Sequence, residues 1–254
     1  MSRLLLTFVF LCILAVPAWA QQPSIIDQMI RIKPSLVEVM ANNTAATLAT
    51  PKQRSLFKDP QSGKIVVLDR GTTLASYQRN GAGVIIDPSG IIVTNAHTVN
   101  QAQRVQVLMA NGVKLNAKIV RFAKDLDLAL LKIDVPTALP AIPLADSSQI
   151  MLNQEIFTVG NSPLLKESIS GGKITGLASS RNAQYSNDVE SDFFETSMTI
   201  YKGDSGGPLF NRRGELIGLM TAKMLSRDNS SFAVSSNKIR RYLDAYLNEK
   251  AVAQ

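Results

Sequence analysis

Cysteine, histidine and tryptophan are almost missing from this chain of 254 residues, in which each occurs once, as Cys12, His97 and Trp19. Cys12 and Trp19 lie in the first twenty residues. If these residues are removed, the protein has no disulfide, no thiolate nucleophile and no cysteine-based metal site. One histidine cannot supply the two or three imidazoles of common catalytic zinc sites. We therefore predict a protein without a metal site and without a cofactor.

The first twenty residues have the features of a secretory signal. Arg3 provides the positive start, residues 4–16 form a short apolar run, and Ala18 and Ala20 are the small residues of a cleavage site. The run is shorter than the about 20 apolar residues that a membrane span needs. We predict a signal peptide over residues 1–20, a periplasmic or secreted protein, and no stable membrane span after signal removal.

The chain is basic, with a formal net charge of +7 that falls by one when Arg3 leaves with the leader. A basic protein can bind nucleic acid when its cationic residues are clustered. Here they are scattered and form no run of five or more. The sequence therefore predicts no nucleic-acid partner.

Short β-type runs separated by turn residues make up most of the chain after the leader, which is typical of a sandwich or a barrel. Three prolines within residues 135–143 predict a linker between two β-rich halves. Residues 41–79 are weakly patterned and form an excursion with room for one hairpin. A helix is expected over residues 237–250, capped by Ser236. The candidate strands are residues 36–40, 64–68, 82–86, 91–95, 105–109, 114–122, 128–133, 155–160, 173–180, 216–221 and 231–234; the apolar face of the helix has Ile239, Tyr242, Leu243, Tyr246 and Leu247.

The most specific string in the sequence is Gly203-Asp204-Ser205-Gly206-Gly207-Pro208. Glycines around one serine allow a sharp turn that exposes the hydroxyl group and directs nearby N–H groups at one point. The string also fits G-x-S-x-G, the nucleophile elbow of α/β-hydrolases, but those enzymes have their histidine after the serine. No histidine follows Ser205. The elbow is therefore excluded, and the order histidine, aspartate, serine is the one used by chymotrypsin-type proteases.

The acid of such a site should be anchored and buried, because it holds the tautomer of the histidine. His97 follows the apolar run 91–95, and three aspartates lie between it and Ser205 near a second apolar run. Asp127 directly precedes that run, whereas Asp125 is expected in a loop and Asp134 closes the run at its far end. Asp127 is the better candidate.

With these residues in this order, the chain resembles a trypsin-fold serine protease and, within that fold, the HtrA-like (Deg-type) bacterial proteases. The resemblance is carried in order by Gly81-Ala82-Gly83 through Thr94-Asn95-Ala96-His97, residues 125–133, Leu144-Ala145-Asp146-Ser147, residues 203–209, residues 214–218 and residues 232–237. It covers roughly residues 30–245.

The resemblance implies an all-β fold of two six-stranded antiparallel β-barrels with a C-terminal helix. Within a peptidase domain over residues 21–254, the first barrel would cover about 35–140, the second about 145–236, and the helix 237–250. The catalytic residues would be His97 as general base, Asp127 as its orienter and Ser205 as nucleophile.

The resemblance also implies the groups that bind the substrate. The N–H groups of Gly203 and Ser205 would form the oxyanion hole. Ile200 would be the floor of the primary specificity pocket, with Thr221 and Ala222 in one wall. An apolar floor predicts cleavage after small or medium aliphatic residues.

The chain departs from the family pattern in three places. It ends soon after the terminal helix, so we expect a member without the peptide-binding PDZ domain. Asp204 precedes the nucleophile, where HtrA-like proteins usually have asparagine. Ser162-Pro163-Leu164-Leu165-Lys166 replaces the usual loop of glycine and phenylalanine.

The leading hypothesis is an exported serine endopeptidase that hydrolyses proteins or peptides through an acyl-enzyme, in envelope protein quality control or processing. A processing enzyme with one natural target is a narrower form of the same hypothesis. The alternative is a catalytically silent trypsin-fold module that binds proteins. Assembly into a homo-oligomer is left open.

Overall fold

The computed structural model describes residues 24–44, 54–58, 65–69, 76–159, 169–178, 192–198, 206–223 and 231–252. Six antiparallel strands of the first half close into a barrel in the order β1-β4-β5-β8-β7-β6, and β2 and β3 form a separate hairpin. The strands are β1 (Leu36–Thr44), β2 (Arg54–Lys58), β3 (Ile65–Asp69), β4 (Ser76–Asp87), β5 (Ile91–Thr94), β6 (Arg104–Met109), β7 (Lys114–Ala123) and β8 (Leu128–Ile133).

The second half closes into another six-stranded antiparallel barrel, in the order β10-β11-β14-β13-β12-β9. Its strands are β9 (Glu155–Val159), β10 (Ile169–Ala178), β11 (Phe193–Thr196), β12 (Pro208–Phe210), β13 (Leu216–Lys223) and β14 (Ser231–Ser235). Two closed barrels followed by a helix confirm the predicted fold class.

The predicted excursion over residues 41–79 contains more regular structure than its sequence indicates. Strand β1 continues through Ala41 to Thr44, and these residues pair with Arg79 and Ser76 of β4. The hairpin for which the excursion had room is formed by β2 and β3. The ends of this segment therefore belong to the first barrel.

Two strands of the second barrel, β11 and β12, are absent from the sequence-based prediction. Strand β12 has three residues, begins at Pro208 and is buried throughout, and β11 has four residues of which only Glu195 is not buried. Segments this short have no alternation from which a strand can be recognised. Closure of the barrel, and not local pattern, makes them strands.

A short helix, α1 (Ile25–Ile32), precedes the first barrel and was not predicted. A capping box begins it, because the Asp27 N–H donates to the Ser24 hydroxyl and the Ser24 N–H donates to the Asp27 carboxylate, both at 3.1 Å. The helix buries Gln28 and Ile32 against the body of the protein. Eight residues are too few for a helical period to stand out in the sequence.

Strand β5 is followed by a single helical turn, α2 (Ala96–Val99), and the chain is closed by α3 (Ser236–Val252). The Ser236 hydroxyl donates to the carbonyl of Ala145 at 2.9 Å, while Lys238 N–H donates to the Ser235 hydroxyl at 3.4 Å, so the predicted cap is wrong by one residue. On the predicted apolar face, Leu247 is 36% exposed, and the residues that pack inward are Ile239, Tyr242, Leu243 and, in part, Tyr246.

Helix α3 packs into a hydrophobic core that both barrels share. This core joins side chains of β4, β5 and β8 to side chains of β9, β12 and β13. Arg121 of β7 adds a polar contact, since it pairs with Glu249 at 2.7 Å and lies 5.0 Å from the ring centre of Tyr242. The shared core fixes the position of one barrel relative to the other, and this position determines which side chains of the two barrels come into contact.

Among the described residues, no helix has both the length and the apolar character that crossing a membrane requires.

Candidate active site

His97 lies in the helical turn α2, directly after β5 has crossed the core of the first barrel. Thr94 and Asn95 are completely buried, whereas the side chain of His97 is 47% exposed. Arg79 of β4 donates to the carbonyl of His97 at 2.8 Å. The imidazole is therefore held on buried backbone and reaches solvent.

Asp127 directly precedes β8 and faces His97, which follows β5, the neighbouring strand of the same barrel. Only 6% of the residue is exposed. Its φ of +52° is in the left-handed region, which aspartate tolerates better than most residues. The carbonyl of Asp127 accepts the Ala96 N–H at 3.1 Å, and its own N–H donates to the carbonyl of Lys124 at 3.1 Å. The backbone of the acid is thus fixed on both sides.

The Asp127 carboxylate receives His97 at three points. The imidazole Nδ1 lies 2.8 Å from Oδ2 and 3.0 Å from Oδ1, and the backbone N–H of His97 donates to Oδ1 at 3.0 Å. An ionised carboxylate only accepts hydrogen bonds, so Nδ1 must carry the hydrogen. In the neutral imidazole, Nε2 then has the lone pair of a base.

Thr221 brings the second barrel into this arrangement. Its hydroxyl group, on β13, donates to Oδ2 of Asp127. Burial by itself raises the pKa of Asp127, but the hydrogen bonds from the His97 ring, the Thr221 hydroxyl and the His97 N–H outweigh burial, and the net pKa lies below the ordinary value. The acid is therefore held in its charged form at neutral pH.

The segment after Ser205 is anchored between the barrels. The N–H of Gly206 donates to the carbonyl of Met220 at 3.2 Å, and the N–H of Met220 donates to the carbonyl of Gly207 at 2.9 Å. Gly206 has a φ of +81°, and a Cβ atom built on it would lie 2.3 Å from the carbonyl oxygen of Ala82. A residue with a side chain does not fit there without a shift of backbone.

The other sequence-predicted residues divide into two groups. Ile200, Gly203 and Ser205 lie outside the described residues, and for Ala222 only its place in β13 is described. Asp125 and Asp134 are described and exposed, and Asp134 lies 3.6 Å from Lys118. Of the three candidate acids, the structure brings Asp127 alone to the imidazole.

A cavity of about 240 Å³ opens beside the histidine. Its wall includes residues that the sequence analysis did not single out, among them Asn100, Phe122 and Lys124. Thr221, which was expected in the wall of the specificity pocket, has its side chain on Asp127. Within the described ranges no group of three His, Cys, Asp or Glu side chains is arranged to hold a metal ion.

The class of protein is defined by a match to a known domain family. Residues 81–219 match the family of trypsin-like peptidase domains. That match covers more than half of the chain, and the two barrels have the fold of this family. The chain belongs to the trypsin-like peptidase family.

Within the family, its relatives are HtrA and Deg proteases. Serine protease HTRA1A of Danio rerio is 35% identical over 189 residues, which are 71% of this chain and 36% of the relative. The periplasmic pH-dependent serine endoprotease DegQ of Escherichia coli (strain K12) is 30% identical over 227 residues, 87% of this chain and 48% of the relative. Protease Do-like 1, chloroplastic, of Arabidopsis thaliana is 36% identical over 146 residues, 57% of this chain and 33% of the relative.

These relatives confirm the resemblance to HtrA-like proteases and support the class of serine endopeptidase. The chain spans between a third and half of the length of the curated relatives it matches, with shares of 36%, 48% and 33%.

Proposed function

We propose that this protein is a serine endopeptidase in which His97, Asp127 and Ser205 form the catalytic triad. The observation that carries the proposal is the bonding of the His97 ring. Both oxygens of a buried carboxylate face Nδ1, at 3.0 and 2.8 Å, so the opposite nitrogen is left as a base on a half-exposed side chain. This is the arrangement that activates a serine hydroxyl.

In the proposed mechanism, Nε2 of His97 takes the proton of the Ser205 hydroxyl as its oxygen attacks the carbonyl carbon of the substrate. Asp127 stabilises the imidazolium that forms, because its carboxylate stays ionised. The N–H groups of Gly203 and Ser205 are proposed to bind the oxyanion. The imidazolium then protonates the leaving amine, which departs and leaves the acyl group on Ser205. In the second half of the reaction, Nε2 takes a proton from water as the water attacks the acyl carbon, and the imidazolium returns a proton to the Ser205 oxygen as it leaves.

The surroundings of Gly206 support Ser205 as the nucleophile. Ser205 is bonded directly to Gly206, and Gly206 is pressed against Ala82 and lies near the hydroxyl of Thr94. Thr94 precedes His97 by three residues on the strand that leads to it. Gly206, the described residue next to Ser205, therefore packs against the strands of the first barrel that lead to His97.

The proposed substrates are proteins or peptides cleaved after small or medium aliphatic residues, with Ile200 as the floor of the pocket and Thr221 and Ala222 beside it. Chromogenic peptides that end in Val, Ala, Lys or Arg test this preference. Rapid cleavage after Arg with no cleavage after Val or Ala would exclude it.

We also propose that the protein is exported by a signal peptide over residues 1–20 and acts in envelope protein quality control or processing. The name of the Escherichia coli relative includes the word periplasmic, which supports export. The N-terminal sequence of protein recovered from a bacterial periplasm should begin at Gln21. An N-terminus at Met1 in that fraction would contradict the leader.

Labelling with a serine-directed fluorophosphonate tests the activity itself. Folded protein should give one adduct, at Ser205, and should digest unfolded casein, whereas Ser205→Ala should do neither and should melt at the same temperature. Turnover that persists in purified Ser205→Ala would refute the mechanism. A folded wild-type protein with no adduct at Ser205 would favour the alternative, a silent module that binds proteins.

A further inference from the structure

Asn95, the residue directly after β5, has one side-chain hydrogen bond and one buried polar atom that has no partner among the described residues. It is completely buried. Its side-chain amide donates from Nδ2 to the carbonyl oxygen of Asp127 at 3.1 Å. Its Oδ1 is buried and has no hydrogen-bond partner among the described residues. The assignment of the two amide atoms follows from the partner, because a carbonyl oxygen can only accept.

Asn95 is also at the N-cap of the turn that carries His97, yet its side chain makes no capping bond. An asparagine at this position normally accepts an N–H of the first turn. Here the carboxylate of Asp127 accepts the N–H of His97 at 3.0 Å. The capping hydrogen bond is therefore made by the side chain of Asp127, and the side chain of Asn95 donates to the backbone carbonyl of Asp127 instead.

The backbone of Asp127 needs such a hold. Its φ of +52° is in the left-handed region, which costs free energy for a residue with a side chain even though aspartate tolerates it better than most. Two donors meet on its carbonyl, the N–H of Ala96 and the amide of Asn95, each at 3.1 Å. A rotation of this peptide would swing the carboxylate away from the imidazole.

The Oδ1 atom of Asn95 has no partner in the part of the chain that the structure describes, and this argues against a purely structural role for Asn95. A buried acceptor without a partner lowers stability, so an amide is a poor choice for filling this space. What the amide supplies is one N–H donor directed at one carbonyl.

We propose that Asn95 is a positioning residue for catalysis, which fixes the left-handed backbone of Asp127 and so holds the carboxylate against His97. The inference rests on the proposed function. It predicts that Asn95→Ala lowers kcat by about 10- to 100-fold, the range expected for a misplaced catalytic group, with KM changed less than twofold.

The matched control is Asn211→Ala. Asn211 is a buried asparagine of the second barrel whose side chain bonds Glu215 and the turn after β12, far from His97 in the sequence and on the other barrel. It should lower the melting temperature at least as much as Asn95→Ala, because the Asn211 side chain makes three hydrogen bonds, and leave kcat unchanged. Equal kcat in both variants would overturn the inference.

A double-mutant cycle separates positioning from general damage. The rate of fluorophosphonate labelling at Ser205 is measured for wild type, Asn95→Ala, Asp127→Ala and the double variant. Because Asn95 is proposed to act through Asp127, its substitution should slow labelling in the wild-type background and change it less than twofold in the Asp127→Ala background. The same loss in both backgrounds would refute positioning.

Two further outcomes are decisive. If Asn95→Ala does not fold, Asn95→Ser, which leaves a smaller cavity, is measured in the same cycle, and failure of both to fold would assign Asn95 a structural role and overturn the inference. If the wild-type protein itself is not labelled, the proposed function fails. An active wild type with an Asn95→Ala variant of equal kcat refutes the positioning role alone.

Discussion

Replacement of Thr221 by valine tests whether the hydrogen bond from the second barrel stabilises the charged carboxylate of Asp127. The substitution keeps the shape and the β-branch of the side chain and removes the hydroxyl group that donates to Asp127. Both residues are buried, at 9% and 6% exposure, so water cannot replace the lost donor readily. A hydrogen bond to a charged group contributes about 1.5–3 kcal/mol. For a chain of this size, in which 1 kcal/mol shifts the melting temperature by about 2–4 °C, we expect it to fall by about 3–12 °C at neutral pH.

The pH dependence of this loss identifies its cause. Folding lowers the pKa of Asp127, so the ionised carboxylate stabilises the fold at pH values above the unfolded carboxyl pKa of about 3.9, and this contribution disappears as the pH falls through the lower folded pKa. Without the Thr221 hydroxyl, the folded pKa of Asp127 rises toward the unfolded value. The deficit of Thr221→Val should therefore be complete at pH 7 and shrink below pH 4 to about 1 kcal/mol, typical of a neutral hydrogen bond.

Thr158→Val is the matched control. Thr158 is a buried threonine of the same barrel, and its hydroxyl donates to the carbonyl of Pro208 at 2.6 Å. Its loss should cost about 1 kcal/mol at any pH, because a backbone carbonyl does not titrate. Urea denaturation of the three proteins at pH 7 and at pH 3 measures both costs. A deficit of Thr221→Val that is the same at the two pH values would refute the reasoning.

Four other substitutions test how the fold supports the site. Leu130→Ala and Leu131→Ala remove neighbouring, completely buried side chains of β8, and each should lower the free energy of unfolding, measured by urea denaturation, by about 2–5 kcal/mol. Only Leu130 belongs to the core that the two barrels share. Only Leu130→Ala should therefore also lower kcat/KM in folded protein. Gly206→Ala places a Cβ atom 2.3 Å from the carbonyl oxygen of Ala82 and should cost more than about 1 kcal/mol together with most of the peptidase activity; unchanged activity would contradict the proposed place of Ser205. Arg121→Met removes the ion pair and the ring contact with α3 and should lower stability by about 1 kcal/mol without changing kcat, which calorimetry and peptide hydrolysis measure.

The sequence predicts the first barrel well because each of its strands has a recognisable apolar run. Strand β5 and most of β8 are buried on both faces, and β6 alternates in exposure along its length. The second barrel is harder to predict, since β11 and β12 have four and three residues and are strands only because their neighbours pair with them. Helix α1 is short and is recognisable mainly through the capping box of Ser24 and Asp27.

The candidate site was predictable only where chain order and local pattern carry information. A single histidine before Ser205 limits the topology, and the position of Asp127 at the start of a buried strand distinguishes it from Asp125. The bond from Thr221 to Asp127 joins residues 94 positions apart on different barrels, so no local pattern encodes it. The backbone hydrogen bonds of Asp127 are tertiary too, since its carbonyl accepts from Asn95 and Ala96 on a different segment of the chain.

Asp127 is therefore a residue that accepts hydrogen bonds from both barrels. The first barrel supplies the imidazole, the His97 N–H and the donors on the Asp127 backbone, and the second barrel supplies the Thr221 hydroxyl. Met220, next to Thr221 on β13, exchanges hydrogen bonds with Gly206 and Gly207, the two residues that follow Ser205. Strand β13 thus contacts both the acid and the segment after the proposed nucleophile. Because one rigid strand makes both contacts, a change in how the barrels pack would move the acid and that segment together, and the shared core is what holds them in register.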